Sequence, residues 1–384
     1  MTAKAPLAGL RIIEIAGIGP GPFCGMMLAD HGAEVIRIDR PGGVQAGLGV
    51  DSRRDVMLRS RRSISIDLKN EAGVAIVRAL SATADGLIEG FRPGVMERLG
   101  LGPDPLTAAN PRLVYGRMSG WGQDGPYAHA PGHDINYIAI AGALDAIGRA
   151  GGKPTPPLNL VGDFGGGGLL LAFGMVTAML AAQSTGQGRV VDCAMSEGAS
   201  ILMAGIWSMK ANGLWNGERG SNILDGGAPF YDTYETADGK YIALGSIEEK
   251  FYGRLREVLD FANDPEFDRQ LDRAVWPSIA TKITNRIKTR TRAEWCALLE
   301  KEEVCFAPVL SADEAPQHPH NAARGAFMTV DGVTQPSPAP RYSGTEKRLP
   351  TMWRPESGAD ALLEEIGYDE ARRRALRAEG VLGK

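Results

Sequence analysis

Two short stretches carry residue types that could move a proton. Gly132-His133-Asp134-Ile135-Asn136-Tyr137 offers a histidine ahead of a helical pattern, and Val161-Gly162-Asp163-Phe164-Gly165-Gly166-Gly167-Gly168 offers a carboxylate that meets a glycine run. Imidazole titrates near ~6.5 and serves as acid or base at neutral pH, whereas aspartate starts near ~3.9 and needs burial or a like charge to rise. A histidine and an acid on opposite faces of one carbon take a proton from one side and return it from the other. Next to a carbonyl, the intermediate is an enolate, and donors at its oxyanion are typically worth ~2.7–4 kcal/mol each. The free N–H groups that open the helix after His133 are the natural donors.

Each of these residues also has a plainer use. His133 can cap a helix or sit satisfied in a core, and Asp163 can be an N-cap. Glu248, at another helix start, can simply serve the helix dipole. The joint setting favours chemistry for the first two, because a sharp Gly-Asp-Phe-Gly turn costs entropy and is rarely kept for a cap alone.

Three rival chemistries fall away. Residues 10–15 read as a strand, Phe23–His31 as a helix and Glu34–Asp39 as a second strand, a βαβ start that invites a dinucleotide site. But Gly17, Gly19 and Gly21 are followed by Pro22 where a third glycine belongs. Pro20 and Pro22 also delete N–H groups that would cradle a pyrophosphate. A Rossmann-like fold is expected, without a nicotinamide cofactor. Metal binding is unfavoured, since Pro131 separates His129 from His133 and no H-E-x-x-H occurs. No G-x-S-x-G is present for a serine hydrolase.

The strand–helix rhythm continues through Ser63–Leu68, Glu71–Ser81, Gly86–Glu89, Leu113–Arg117 and Gly188–Asp192, the pattern of a mostly parallel sheet covered on both faces. A helical run over 131–148, a helix over Ala194–Met209 and a closing helix over Ala359–Ala378 complete the first domain's pattern. Phe164–Ala182 is nineteen residues without a charge, long enough for a membrane span but read as a core helix buried all round. Arg37, Arg40, Arg53, Arg54, Arg59, Arg61 and Arg62 crowd one region. Singly each reads as solvated; as a cluster they suggest bidentate recognition of phosphate.

At 384 residues, two domains are expected. The glycine- and asparagine-rich stretch 210–227 divides 1–210, a large Rossmann-like domain, from a smaller α+β domain at 225–325, and 326–384 returns to the first. The smaller domain opens with a hairpin turned at Asp238-Gly239 and holds a Thr291-Arg-Ala-Glu294 capping box. A net charge of −4 leaves no global pull toward nucleic acid or an anionic membrane. Four scattered cysteines in apolar sequence read as buried free thiols, and the N-terminal residues hold no apolar run. With no S-K-L ending, a cytoplasmic location is expected.

The motifs Leu10-Arg-Ile-Ile-Glu-Ile-Ala-Gly-Ile-Gly-Pro-Gly-Pro22, Gly90-Phe-Arg-Pro-Gly-Val-Met-Glu-Arg-Leu99, Gly132–Tyr137, Pro157-Leu-Asn-Leu-Val-Gly-Asp-Phe-Gly-Gly-Gly167 and Gly226-Gly-Ala-Pro-Phe-Tyr-Asp-Thr-Tyr234 resemble those of α-methylacyl-CoA racemases. These belong to the family III CoA-transferase superfamily. The resemblance implies a cofactor-independent 1,1-proton transfer on a 2-methylacyl-CoA. It carries over His133 and Asp163 as the two acid/base groups and Glu248 as the residue that orients His133. It places CoA contacts at Arg40, at Ile66, Asp67, Leu68 and Lys69, at Gly90, Phe91 and Arg92, at Arg98, and at Gly132, Asp134, Ile135, Asn136 and Tyr137. It also implies an interlocked homodimer whose sites lie between one subunit's large domain and the other's small one. Related CoA-transferases use an aspartate at the Asp163 position as a nucleophile, and a silent CoA-binding protein is a third reading. The acyl group is left open, with Met-containing stretches such as 202–209 candidates for an adaptable acyl surface.

Overall fold

The structure, a computed structural model, describes residues 4–42, 51–345 and 349–383. Two compact units form. The first holds residues 1–141, 158–202 and 325–384, and the second holds 142–157 and 203–324. The second therefore begins at Met203 rather than within 210–227, and it also takes the segment 142–157, where Arg219 donates to the Asp145 carbonyl at 2.6 Å.

The first unit is built on six parallel strands: β1 Arg11–Ile15, β2 Glu34–Asp39, β3 Arg61–Ser65, β4 Gly86–Glu89, β5 Val114–Ser119 and β6 Val190–Ala194. Their order, β3-β2-β1-β4-β5-β6, is that of the doubly wound dinucleotide fold. Alternation decides which residue serves which face. Ile13, Ile36 and Ile64 pack with the helices Glu71–Ser81 and Ala359–Glu365, while Ile12, Val35 and Val114 pack with Pro20–Asp30 and Leu170–Thr185. β3 lies two residues earlier than its alternation predicts, and Ile66 instead bridges to Leu382.

On the face under Pro20–Asp30, the sheet is charged. The β1–β2 register sets Glu14 opposite Arg37. Glu14 accepts from Arg37 at 2.5 Å and from Arg61 at 3.0 Å, and Arg37 also donates to Asp39 at 2.8 Å. All four are buried, as are Arg59 and its partner Asp30. Arg62 pairs with Glu34 and Glu365. The arginine cluster is thus not a phosphate site as a whole: four of its members are spent on internal ion pairs, because a guanidinium taken from water needs a carboxylate beside it. Arg40, Arg53 and Arg54 are the exposed remainder.

The predicted Gly-Asp-Phe-Gly turn is not a turn. Leu160–Leu169 is a π-helical run that passes directly into Leu170–Thr185, and Phe164 N–H reaches back five residues to the Asn159 carbonyl. The glycines serve close packing. A Cβ on Gly166 would stand 2.6 Å from Ala199 N, and one on Gly168 would stand 2.6 Å from the Pro20 carbonyl. The whole 26-residue stretch Leu160–Thr185 is long and apolar enough to cross a membrane by length and composition. It is not buried all round as expected. Leu169, Phe173, Val176 and Leu180, spaced four, three and four apart on one stripe, are 49%, 66%, 36% and 67% exposed.

The helical run predicted over 131–148 divides into Asp134–Ile140 and Ala143–Ala146, and that over 194–209 into Met195–Leu202 and Ala204–Ala211. The closing helix divides into Ala359–Glu365 and Glu370–Ala378, parted at Gly367 with φ +87° and capped anew by Asp369. In the second unit, strands β7 Tyr231–Glu235, β8 Tyr241–Gly245 and β9 Phe306–Pro308 form an antiparallel sheet. Its core holds Phe230, Tyr252, Phe267, Trp276 and Trp295. The Thr291–Glu294 capping box forms. β10 Phe327–Val330 and β11 Val333–Pro336 make a hairpin in the first unit. Cys24 and Cys193 are buried free thiols, but Cys296 is half-buried and Cys305 exposed, with a left-handed φ of +47°.

Candidate active site

In a parallel sheet every strand ends along the same edge, and ligands collect there where the strand order reverses. Here the reversal falls between β1 and β4. The loops that follow these two strands hold Gly19 and Gly90–Gly94.

His133 is the N-cap of Asp134–Ile140, in extended conformation, and is exposed. Asn136, one turn on, accepts from His133 N–H at 3.0 Å. Aromatic packing holds the approach to this cap. Tyr137 stacks edge-on against Trp121 with ring centroids 4.7 Å apart, its hydroxyl donates to the Gly132 carbonyl, and Trp121 Nε1 donates to the Ala130 carbonyl at 3.2 Å. The N–H groups of Asp134 and Ile135 find no backbone carbonyl among the described residues, as expected of a helix's first turn.

Asp163 is the fourth residue of the π-helical run, half-buried. Asn159, one turn earlier, donates its amide to Oδ2 at 3.1 Å. Asp163 N–H donates to Asp134 Oδ1 at 2.7 Å. Its carboxylate lies over Gly19, where a Cβ would stand 3.1 Å from Oδ2. Gly19 has φ +66° and opens Pro20–Asp30, so this loop faces a carboxylate of its own chain. Phe23 and Phe164 stack at 4.8 Å beside it. Burial pushes the Asp163 carboxyl above the ordinary carboxylate range. The Asp134 charge adds to the push, while the Asn159 amide and His133 oppose it.

At the end of β4, Glu89 is buried, accepts from Phe91 N–H at 2.7 Å and from Arg117 Nε at 3.3 Å, and is pushed up by burial to about 7. Arg92 follows, exposed, and its charge reaches the Tyr137 hydroxyl. Arg40 follows β2 and Lys69 follows β3, both exposed, which sets cationic groups along the sheet's C-terminal edge. Arg98 is exposed too, at the end of Val95–Arg98.

Other expected ligand contacts turn inward. Ile66 is buried and its N–H bonds to the Asp39 carbonyl at 2.8 Å. Asp67 accepts from Lys69 N–H at 3.0 Å, and Leu68 packs against the core. Asp134 and Tyr137 are buried, their side chains committed to Asp163 N–H and the Gly132 carbonyl. In Ile66, Asp134 and Tyr137 the side chain fills the fold, and of their backbone N–H groups that of Asp134 meets no backbone carbonyl among the described residues. Glu248 is the N-cap of Glu249–Val258 in the second unit. That unit has its own cavity of about 450 Å³, lined by Arg149, Tyr231, Asp232, Leu244, Cys305 and Phe306 among others. Among the described residues, no group of three His, Cys, Asp or Glu side chains could hold a metal ion.

Sequence reasoning missed Asn159, Gly19, Trp121 and Glu89. Asn159 was signalled by its four-residue spacing from Asp163, once the helix is begun before the glycines. Glu89 was signalled by a carboxylate closing an otherwise apolar strand. Nothing local pointed to Gly19 or Trp121, whose partners are distant in sequence.

The family model described as CoA-transferase family III matches residues 7–361. An alpha-methylacyl-CoA racemase of Mus musculus is 46% identical over 334 residues, 87% of this chain and 85% of that one. The alpha-methylacyl-CoA racemase of Homo sapiens is 42% identical over 382 residues, 98% and 97% of the two chains. A succinyl-CoA–D-citramalate CoA-transferase of Chloroflexus aurantiacus is 32% identical over 361 residues, 88% of each. Among solved structures, a CAIB/BAIF family protein from Brucella suis superposes with a TM-score of 0.81 at 27% identity, over 95% of this chain and 100% of that one.

Proposed function

This chain belongs to CoA-transferase family III, and from that premise we propose that it interconverts the (R)- and (S)-forms of 2-methylacyl-CoA thioesters. The single observation that carries the reading is the 42% identity to a racemase across 98% of the chain. The site's geometry supports the same chemistry. His133 and Asp163 approach through Asp134, one residue from the first and bonded to the backbone of the second.

The proposed reaction is a 1,1-proton transfer. One of the two groups takes the C2 proton, an enolate forms, and the other returns a proton to the opposite face. Asp163, raised by burial, then holds a proton at a pH where an ordinary aspartate has lost it. The N–H groups of Asp134 and Ile135, which meet no backbone carbonyl among the described residues, are donors beside His133 for the enolate oxygen. Arg40, Lys69, Arg92 and Arg98 supply the cations for the CoA phosphates. Glu248 orients His133 by resemblance. CoA is part of the substrate, and the reaction draws on no separate cofactor. The stripe Leu169, Phe173, Val176 and Leu180 supports the homodimer, since exposed apolar rows at helical spacing are covered by a partner.

The test is wash-in of solvent deuterium at C2 of (R)- and (S)-2-methylacyl-CoA with no acceptor acid present. Exchange with loss of stereochemistry supports the racemase. Transfer of CoA to an added carboxylate without exchange at C2 would instead make Asp163 the nucleophile of a CoA-transferase. Tight binding with neither reaction would leave a CoA-binding protein.

A further inference from the structure

We infer that Asp134 is the positioning residue that sets the two acid/base groups in register, by holding the backbone of Asp163 from the position next to His133. This rests on the racemase reading.

Asp134 is 7% exposed, yet it carries a carboxylate. Oδ1 accepts from Asp163 N–H at 2.7 Å, while Oδ2 is buried with no hydrogen-bond partner among the described residues. A carboxylate kept dry and half-satisfied costs stability, so its retention calls for a reason outside the core. The chain makes room for it. A Cβ on Gly162 would stand 2.4 Å from Oδ1 and 3.1 Å from Ile138 Cγ2, so any other residue there expels the carboxylate or shifts the helix.

The bond falls where the helix is least constrained by its own ladder. In the π-helical run, the N–H groups reach five residues back, and the first turn has few partners of its own. Asp163 N–H takes a side chain from the helix that His133 caps. One bond therefore links the two elements that present the catalytic groups. A shift of about 1 Å at such a site costs on the order of 100-fold in rate.

Asp134 also acts by charge. The groups that face Asp163 are Asn159, Asp134 and His133, with the Tyr137 hydroxyl close by and Arg92 beyond it. Among these, the like charge of Asp134 favours the protonated form.

The two contributions separate in Asp134→Ala and Asp134→Asn. The asparagine keeps an Oδ1 acceptor and loses the charge; the alanine loses both. Asp134→Ala is expected to lower kcat for C2 exchange on the order of 100-fold with KM within about 3-fold. Asp134→Asn is expected to recover most of that loss and to move the acid limb of its pH profile downward. Gly162→Ala, with Asp134 intact, should resemble Asp134→Ala. Independently of any reaction, amide hydrogen exchange over residues 160–165 should quicken in Asp134→Ala and stay slow in Asp134→Asn. Unchanged kcat and amide protection in Asp134→Ala would overturn the inference, as would an asparagine variant as impaired as the alanine with its pH limb unmoved. A wild-type enzyme without C2 exchange would retract the racemase reading alone, because the amide protection still reports on the clamp.

Discussion

Asn159 stands one helical turn before Asp163 and donates its side-chain amide to Oδ2 at 3.1 Å. The bond favours the charged carboxylate and so opposes the burial that raises it. Asn159→Ala should therefore move Asp163 further up. The acid limb of kcat/KM, measured in the direction where Asp163 is the base, is expected to shift to higher pH. An unmoved limb would mean that another group controls it.

The backbone N–H of His133 is held by Asn136, and Tyr137 packs against Trp121 within the same loop and helix. His133→Ala should abolish racemisation while leaving the fold and CoA binding largely intact. Turnover at the wild-type rate would sink the assignment.

Arg37 and Arg40 lie three residues apart and should behave oppositely. Removing Arg37 takes the guanidinium partner from Asp39 and leaves Glu14 with Arg61, and Arg37→Ala is expected to cost about 3–5 kcal/mol in urea denaturation. Arg40 is exposed just after β2. Arg40→Ala should change stability by no more than about 0.5 kcal/mol and raise KM for the CoA ester, with a weaker salt dependence.

Glu89 is raised by burial to about 7, against ~4.3 in an unfolded chain. The folded state then holds the proton more tightly, so this group's contribution is fully present below the unfolded value and is lost as pH climbs toward 7. Asp39, raised by burial to about 6, acts in the same direction. Glu89→Gln removes one of the two. Relative to wild type, it should gain on the order of 1–3 kcal/mol between pH 4 and pH 8. Parallel stability curves would refute this.

Phe173 lies in the middle of the exposed stripe, 66% exposed. If a second copy covers that stripe, Phe173→Asp should shift the protein to a monomer in size-exclusion chromatography with light scattering. A monomeric wild type would retire the dimer.

Local pattern alone determined much of this protein. β2, the helix Glu71–Ser81 and β4 lie at the bounds that periodicity predicts, because alternation and capping act within a few residues. The two prolines in the first glycine loop already argued against a pyrophosphate, and the structure places the Asp163 carboxylate against that loop. What the sequence left open depends on distant partners. Whether an arginine in 37–62 meets solvent or Glu14 is decided by strand register, and Cys305 is exposed despite its apolar neighbours. His133 and Asp163, thirty residues apart, were two plausible groups with separate plain uses. Only tertiary structure put a buried carboxylate from beside the first onto the backbone of the second, because burial and long-range hydrogen bonds exist only once the chain has closed on itself.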